Sequence, residues 1–245
     1  MTVLVLTADL DPTADLVIVE LNRRGIPVVR IDSLDCVWVN HPHTNRRAAL
    51  KPLALAGAIR AGLAVPRTLI TNEPEQDRSF IRRLPRGLAA YKPLGSTMPP
   101  QTSDDRTVLW TNRVTADEIT TAVSFTAHQF QEWIDKAYEV RLTMVGDELF
   151  AAEIHAGSET SRIDFRTDYD SLTYRVCDVP EGVADGVRSL MAVFGLRYAA
   201  LDFLVDNDGV WFFVDLNPNG QFGFVPDLRE PIATALANLL EGVPR

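Results

Sequence analysis

Residues 201–219 read LDFLVDNDGVWFFVDLNPN, and the fold class turns on this stretch. Leu201 to Val205 and Trp211 to Leu216 are apolar runs, joined by Asp206-Asn207-Asp208-Gly209, which has the composition of a hairpin turn. Asp202 interrupts the first run. Asp215 and Asn217 fall on one face of the second, because strand side chains alternate with a period of two. Two carboxylates and a carboxamide on paired strands offer hard oxygen ligands. Magnesium takes few of these from protein and leaves its other positions to water and phosphate. Either aspartate alone would more simply be a solvated strand end; the pair beside Asn217-Pro218-Asn219 favours the cation.

Working outward, Val183 to Phe194 has the pattern of a helix stopped by Gly195, and Leu228 to Leu240 that of a closing helix. From Ala127 the chain turns β-rich. His128 to Ile134, Val140 to Val145 and Leu149 to Ile154 read as successive strands with Gly146-Asp147 as a turn, and Leu172 to Val176 as a further strand. The opening alternates instead. Val3 to Leu6 is a strand, Asp11-Pro12 starts a helix that Gly25 ends, and Pro27 to Ile31 is a second strand.

Val37 to Val39 is expected as a short strand, Arg46 to Ala61 as a helix with a restart at Pro52, and Val65 to Ile70 as a strand. A helix from Asn72 to Leu84 and a strand from Leu88 to Lys92 follow. Gly95 to Arg106 reads as a mobile loop, Val108 to Asn112 as a strand, and Thr115 to Glu118 as the capping box of a helix. The expected domains are 1–45, 46–126 and 127–245.

The chain has 245 residues, 46% hydrophobic and 23% charged, which suits a globular α/β protein of one large domain or two lobes. A net charge of −9 argues against a nucleic-acid partner, since neutralising phosphates needs a basic surface. Cys36 and Cys177 stand apart and read as reduced thiols. No segment has the length or apolarity of a signal h-region or membrane span, so the expectation is a cytoplasmic protein with no membrane partner.

Cations embedded in apolar strands are the second signal. Lys92 ends one strand and Arg141 follows Glu139-Val140 in another; a buried cation needs an anion, either a structural carboxylate or a bound one. Arg166 fits a surface loop as well as a site, and Lys51 gains no role from spacing alone. Gln131-Glu132-Trp133-Ile134 is either a half-buried strand or the wall of a flat heterocycle. His41 and His43, in a loop broken by Pro42, read as turn residues rather than metal ligands. No Gly-rich phosphate loop or dinucleotide fingerprint occurs.

In this order the motifs resemble the ATP-grasp superfamily, in its branch around the ribosomal protein S6 glutamate ligase. They look most like the actinobacterial peptide maturases related to microviridin ligases. The stretches that carry the resemblance are residues 6–15, Val39-Asn40-His41-Pro42-His43-Thr44-Asn45, Lys51-Pro52, Val65-Pro66-Arg67-Thr68-Leu69, Tyr91-Lys92-Pro93-Leu94 and Asp215-Leu216-Asn217-Pro218-Asn219-Gly220-Gln221.

The resemblance implies an ATP-grasp fold behind a shortened Rossmann-like N-terminal domain. It implies ATP contacts from Lys51 and Lys92, and an adenine hinge at Glu132 and Trp133 with Gln131 and Ile134 beside it. Glu139 would meet the ribose, and Arg141 and Arg166 the transferred phosphate. Asp202, Asp215 and Asn217 would bind Mg2+, or alternatively Mn2+; the family usually has glutamate where Asp215 stands. The implied activity is ADP-forming ligation through an acyl phosphate, making ester or amide cross-links in a ribosomally made precursor peptide. A leader segment of that peptide would dock near His155 to Arg162, and relatives suggest a homodimer. A free amino-acid ligase of the S6-modifying type and a leader-binding module without turnover remain alternatives.

Overall fold

The computed structural model describes residues 3–7, 12–32, 38–94 and 111–241. Contacts divide the chain into a unit of residues 1–39 with 242–245 and a unit of residues 40–241. In the first, β1 (Val3–Thr7) and β2 (Val28–Asp32) pair in parallel, Val3 opposite Val28, and α1 (Pro12–Arg23) connects them. Parallel neighbours need such a crossover, and Gly25, at φ 68, ends the helix.

The second unit opens with α2 (Pro42–Ala48) and α3 (Lys51–Arg60). The restart expected at Pro52 is a break between two helices, because Pro52 favours the start of a helix and cannot supply the N–H an interior position needs. Then come β3 (Thr68–Thr71), α4 (Pro74–Arg82), β4 (Leu88–Lys92), β5 (Asn112–Thr115) and β6 (His128–Glu132). These four strands form one sheet in the order β3-β6-β4-β5.

A second, antiparallel sheet has the order β11-β10-β7-β8-β9. It is built from β7 (Lys136–Val145), β8 (Glu148–His155), β9 (Thr173–Val176), β10 (Tyr198–Asp206) and β11 (Trp211–Asn217). Helices α5 (Glu159–Ile163), α6 (Glu181–Phe194) and α7 (Arg229–Glu241) complete the chain. Gly146 at φ 59 makes the β7–β8 turn, and Gly195 at φ 67 stops α6 in the left-handed conformation. No helix among the described residues is long and apolar enough to cross a membrane.

β6 pairs with β3 and β4, so the first sheet runs to Glu132. Alternation identifies a strand without identifying its partners. Two expectations need correction. Thr115 and Glu118 do form a capping box, but over a 3-10 turn of three residues, because Ile119 returns at once to extended backbone. Trp38 and Val39 are not in a strand; Val37, the expected loop from Gly95 to Arg106, and Val108 to Trp110 lie outside the described residues.

The main core joins α3 and α6 to the inner face of the second sheet, where Leu142, Val187, Leu190, Leu201, Phe203 and Phe213 are fully buried. Each such side chain contributes roughly 1.5–3 kcal/mol of transfer free energy. The first sheet has a smaller core around Ile81, Ala89 and Phe130.

Asp77, on the buried side of α4, is fully buried with neither carboxylate oxygen hydrogen-bonded. Burial raises its pKa to about 7, with Arg78 opposing. The unfolded carboxyl loses its proton near pH 4 while the folded one keeps it to about 7, so stability falls as pH rises across that window. Asp77→Asn is therefore expected to raise thermal stability at pH 8, by roughly 2–4 kcal/mol, and to have little effect at pH 4. Melting curves at the two pH values check this.

Candidate active site

Facing residues of the two sheets enclose a cleft of about 450 Å³. On the first sheet Lys92 ends β4, and its Nζ donates to Gln131 Oε1 on β6 at 2.9 Å; Gln131 Nε2 in turn donates to Thr68 Oγ1 at 3.0 Å. Burial holds the Lys92 pKa down to about 8, Asp215 and Glu139 acting against it and Lys51 with it. Lys51 starts α3 and donates to Pro93 O at 3.0 Å, so a helix N-terminus brings to the cleft a residue to which spacing gave no role.

Glu132, Trp133 and Ile134 form the passage between sheets and line the cleft. Trp133 N donates to Leu88 O at 3.2 Å, its indole Nε1 donates to Asp135 Oδ1 at 3.0 Å, and Arg113 lies over the ring at 5.7 Å. The ring is thus held in place by its N–H bond and by the cation over it. Glu132 also lies 3.7 Å from Arg67.

On the second sheet Asp202 pairs with Arg141 of β7 on one side and Asp215 of β11 on the other. Adjacent strands therefore present a cation and two carboxylates in a row. Asn217, two residues past Asp215, donates from its amide to Asp202 Oδ2 at 3.3 Å. Arg141 Nη1 lies 3.0 Å from Asp202 Oδ1, yet the two are not aligned as a hydrogen bond. Both atoms, and Arg141 Nε, are buried without a hydrogen-bond partner. Burial raises the Asp202 pKa against the pull of Arg141.

A loop after β8 supplies the last cation. Arg166 holds Asp164 with two parallel hydrogen bonds, Nε to Oδ1 and Nη2 to Oδ2, each 2.8 Å. Burial pushes the Asp164 pKa up, but the bonds and charge of Arg166, with an N–H from Thr111, outweigh it and the net shift is downward. Burial lowers the Arg166 pKa and Asp164 more than reverses that. Glu139 is paired with Lys136 Nζ at 2.6 Å, and burial raises its pKa in spite of that partner.

Every residue expected in the site lines this cleft except Arg141, which lies beside Asp202 on the neighbouring strand with its guanidinium over the Phe224 ring at 5.2 Å. Sequence reasoning missed Asp164, Lys136 and Phe224. The Asp-Phe-Arg spacing of 164–166 was the available signal for the first; Phe224 arrives from far along the chain and had none. The imidazole Nδ1 of His41 accepts from His43 N at 3.2 Å and caps α2, which is the turn role expected of it.

Asp202, Asp215 and Asn217 fit a divalent cation: they are oxygen-rich, and Asp202 Oδ1 is buried beside Arg141 without a hydrogen bond. Among the described residues no group of three or more His, Cys, Asp or Glu side chains is placed to hold a metal, so a cation here would need further oxygens from a ligand. Lys51, Lys92 and Arg166 line the same cleft, and such cations suit a polyanion.

Comparison with solved structures gives the fold its class. The chain is similar to a RiPP-associated ATP-grasp ligase of Chryseobacterium gregarium, solved with ADP and a leader and core peptide. The TM-score is 0.78, the identity 21%, and the match covers 100% of this chain and 98% of that one. It is also similar to the macrocyclase MdnC of Microcystis aeruginosa MRC, solved with precursor peptide MdnA, at TM-score 0.72 and 22% identity over 99% and 100%. D-cycloserine synthetase DcsG matches at TM-score 0.55 and 16% identity over 98% and 100%. The chain has the ATP-grasp fold. No family model matches it, and no curated protein matches its sequence.

Proposed function

We propose that the protein is an ATP- and Mg2+-dependent ligase that forms ester or amide cross-links in a ribosomally made precursor peptide. The observation that carries this reading is the meeting, in one cleft, of a buried Asp202 carboxylate oxygen without a hydrogen bond and the cations Lys51, Lys92 and Arg166. That polarity suits a magnesium–triphosphate complex. The fold neighbours solved with peptides, an ATP-grasp ligase with a leader and core peptide and a macrocyclase with a precursor peptide, support the choice of substrate.

In this reading Trp133 and Ile134 bound the adenine and Glu139 the ribose. Lys51, Lys92 and Arg166 bind the phosphates, and Asp202, Asp215 and Asn217 hold the cation. Bound magnesium would supply charge neutralisation at the β- and γ-phosphates. A substrate carboxylate oxygen attacks the γ-phosphorus and ADP departs, leaving an acyl phosphate. A hydroxyl or amine then attacks the acyl carbon, inorganic phosphate leaves with the bonding electrons, and the nucleophile loses its proton. Lys92 and Arg166 stabilise the charge that develops in both steps, and Arg141, beside Asp202, favours its ionised form against burial.

A second cavity of about 370 Å³, lined by Arg113, Tyr138, Ile154, His155 and Arg162, shares Trp133, Ile134, Lys136 and Glu139 with the cleft. It supports docking of a leader segment near 155–162. A ligase of free amino acids is the competing reading, since a fold neighbour is named for a small-molecule synthetase.

Co-expression with a Thr- and Asp/Glu-rich precursor is the test. Mass spectrometry should show the peptide losing one water per bond formed. An unchanged peptide, with ATP consumed only when free amino acids are added, overturns the peptide reading.

A pH effect follows from Lys92. Its charge is lost as pH rises through about 8, while a bound triphosphate would hold the proton on. The KM for ATP is expected to rise above pH 8, by up to about tenfold per pH unit. In Lys92→Arg the profile should be flat to pH 10, as KM measurements across that range would show.

A further inference from the structure

We propose that Asn40 is a positioning residue for the proposed metal-binding end of β11, acting on Asn217 through the turn that follows it. The inference rests on the ligase reading of the cleft. Asn40 is buried, and its carboxamide is fully used. Nδ2 donates to Tyr198 O at 2.7 Å and to Pro218 O at 3.1 Å. Oδ1 accepts from Arg197 N at 2.8 Å and from Tyr198 N at 3.1 Å. A primary amide has two donor hydrogens and two acceptor sites, so no other side chain of this size makes the same four bonds.

Those bonds tie two segments together. Tyr198 begins β10, the strand that carries Asp202, and Pro218 follows Asn217 directly. Asn217 is the last residue of β11, still paired with Ala200 of β10, and no strand pairing holds the chain beyond it. The aim of its side chain therefore depends also on what holds the residues that follow. Pro218 O is on Asn40, the Asn219 Oδ1 accepts from Asn45 Nδ2 at 2.9 Å, and Gly220 O accepts from the Tyr198 hydroxyl. Gly220 N closes the turn onto Asn217 O at 3.0 Å. The turn lies so close to β10 that a Cβ at Gly220 would come within 2.3 Å of Ala200 Cβ. Asn40 and Asn45 thus give the Asn-His-Pro-His-Thr-Asn segment a task that the nucleotide-facing residues do not perform.

A neutral carboxamide binds a cation through one oxygen, so its contribution depends on aim. With its amide nitrogen on Asp202, Asn217 has its carbonyl oxygen left for a metal. Loss of the Asn40 anchor should weaken the cation without touching any group that meets the nucleotide. Partners that orient metal ligands typically change metal affinity by 10- to 100-fold when removed.

The test is calorimetric titration of ADP at a series of Mg2+ concentrations, repeated in EDTA, on the full chain and on Asn40→Asp, in which the two donated bonds become repulsive. The Mg2+ concentration giving half of the full ADP affinity should rise about 10- to 100-fold, with ADP binding in EDTA unchanged. Asn45→Ala, which loses one exposed bond, should shift it about threefold and serves if Asn40→Asp does not fold. A lowered melting temperature with unaltered Mg2+ dependence would reduce Asn40 to a structural clamp, as would equal losses with and without Mg2+. Asp202→Asn is run beside them. If wild-type ADP binding ignores Mg2+, the ligase reading itself fails; if wild type and Asp202→Asn behave as expected and the Asn40 and Asn45 variants do not, only the positioning role is lost.

Discussion

Asp202→Asn should lower ATP-dependent turnover by about 10³-fold or more, which corresponds to several kcal/mol of lost charge stabilisation at the transferred phosphate. The substitution is nearly isosteric, so what it removes is charge. Asp202 Oδ1 is buried and without a hydrogen bond, and the position lies between Arg141 and Asp215 on adjoining strands. Burial alone pushes this carboxyl toward its neutral form, and a bound cation would restore the ionised one. The variant leaves Arg141 without its counter-ion, so some stability is lost as well. ADP release, measured beside a melting curve, separates the two effects. Full turnover in a folded Asp202→Asn protein removes the metal assignment.

Arg166→Gln is the second large effect, a fall of about 10²–10³-fold in kcat with the KM for ATP changed much less. The reason is the geometry of the Asp164 pair. Two parallel bonds of 2.8 Å lock the guanidinium plane, and Asp164 is itself held by Thr111 N. A preorganised cation acts on charge that develops during transfer more than on ground-state binding. The Arg166 side chain is 43% exposed, so the fold should survive its loss. Steady-state kinetics at saturating ATP decides the matter. A rise in KM with kcat intact would mean that Arg166 only binds the nucleotide.

Much of this site could be read from the chain because it lies on strands. Period-two alternation places Asp215 and Asn217 on one face whatever the sheet order. Asp202 and Arg141 announce themselves as charges inside apolar runs. What alternation cannot give is the partner of a strand. His128 to Glu132 reads as a strand of either lobe, and only its hydrogen bonds to Thr68–Thr71 and Leu88–Lys92 assign it to the first sheet. Asp164 was overlooked because a loop carboxylate has no periodicity to violate. Asn40 was overlooked for a related reason: its four bonds reach residues more than 150 positions away, and no local pattern encodes them.

The proposed chemistry requires magnesium and phosphate to share one cleft between the two sheets. The most direct measurement is calorimetric binding of ADP to the intact protein with Mg2+ and with EDTA, and to Asp202→Asn with Mg2+. Binding that tightens at least about tenfold with Mg2+ in the wild type, and loses that gain in Asp202→Asn, is the predicted result. No ADP binding under either condition, or equal Mg2+ enhancement in both proteins, would contradict it.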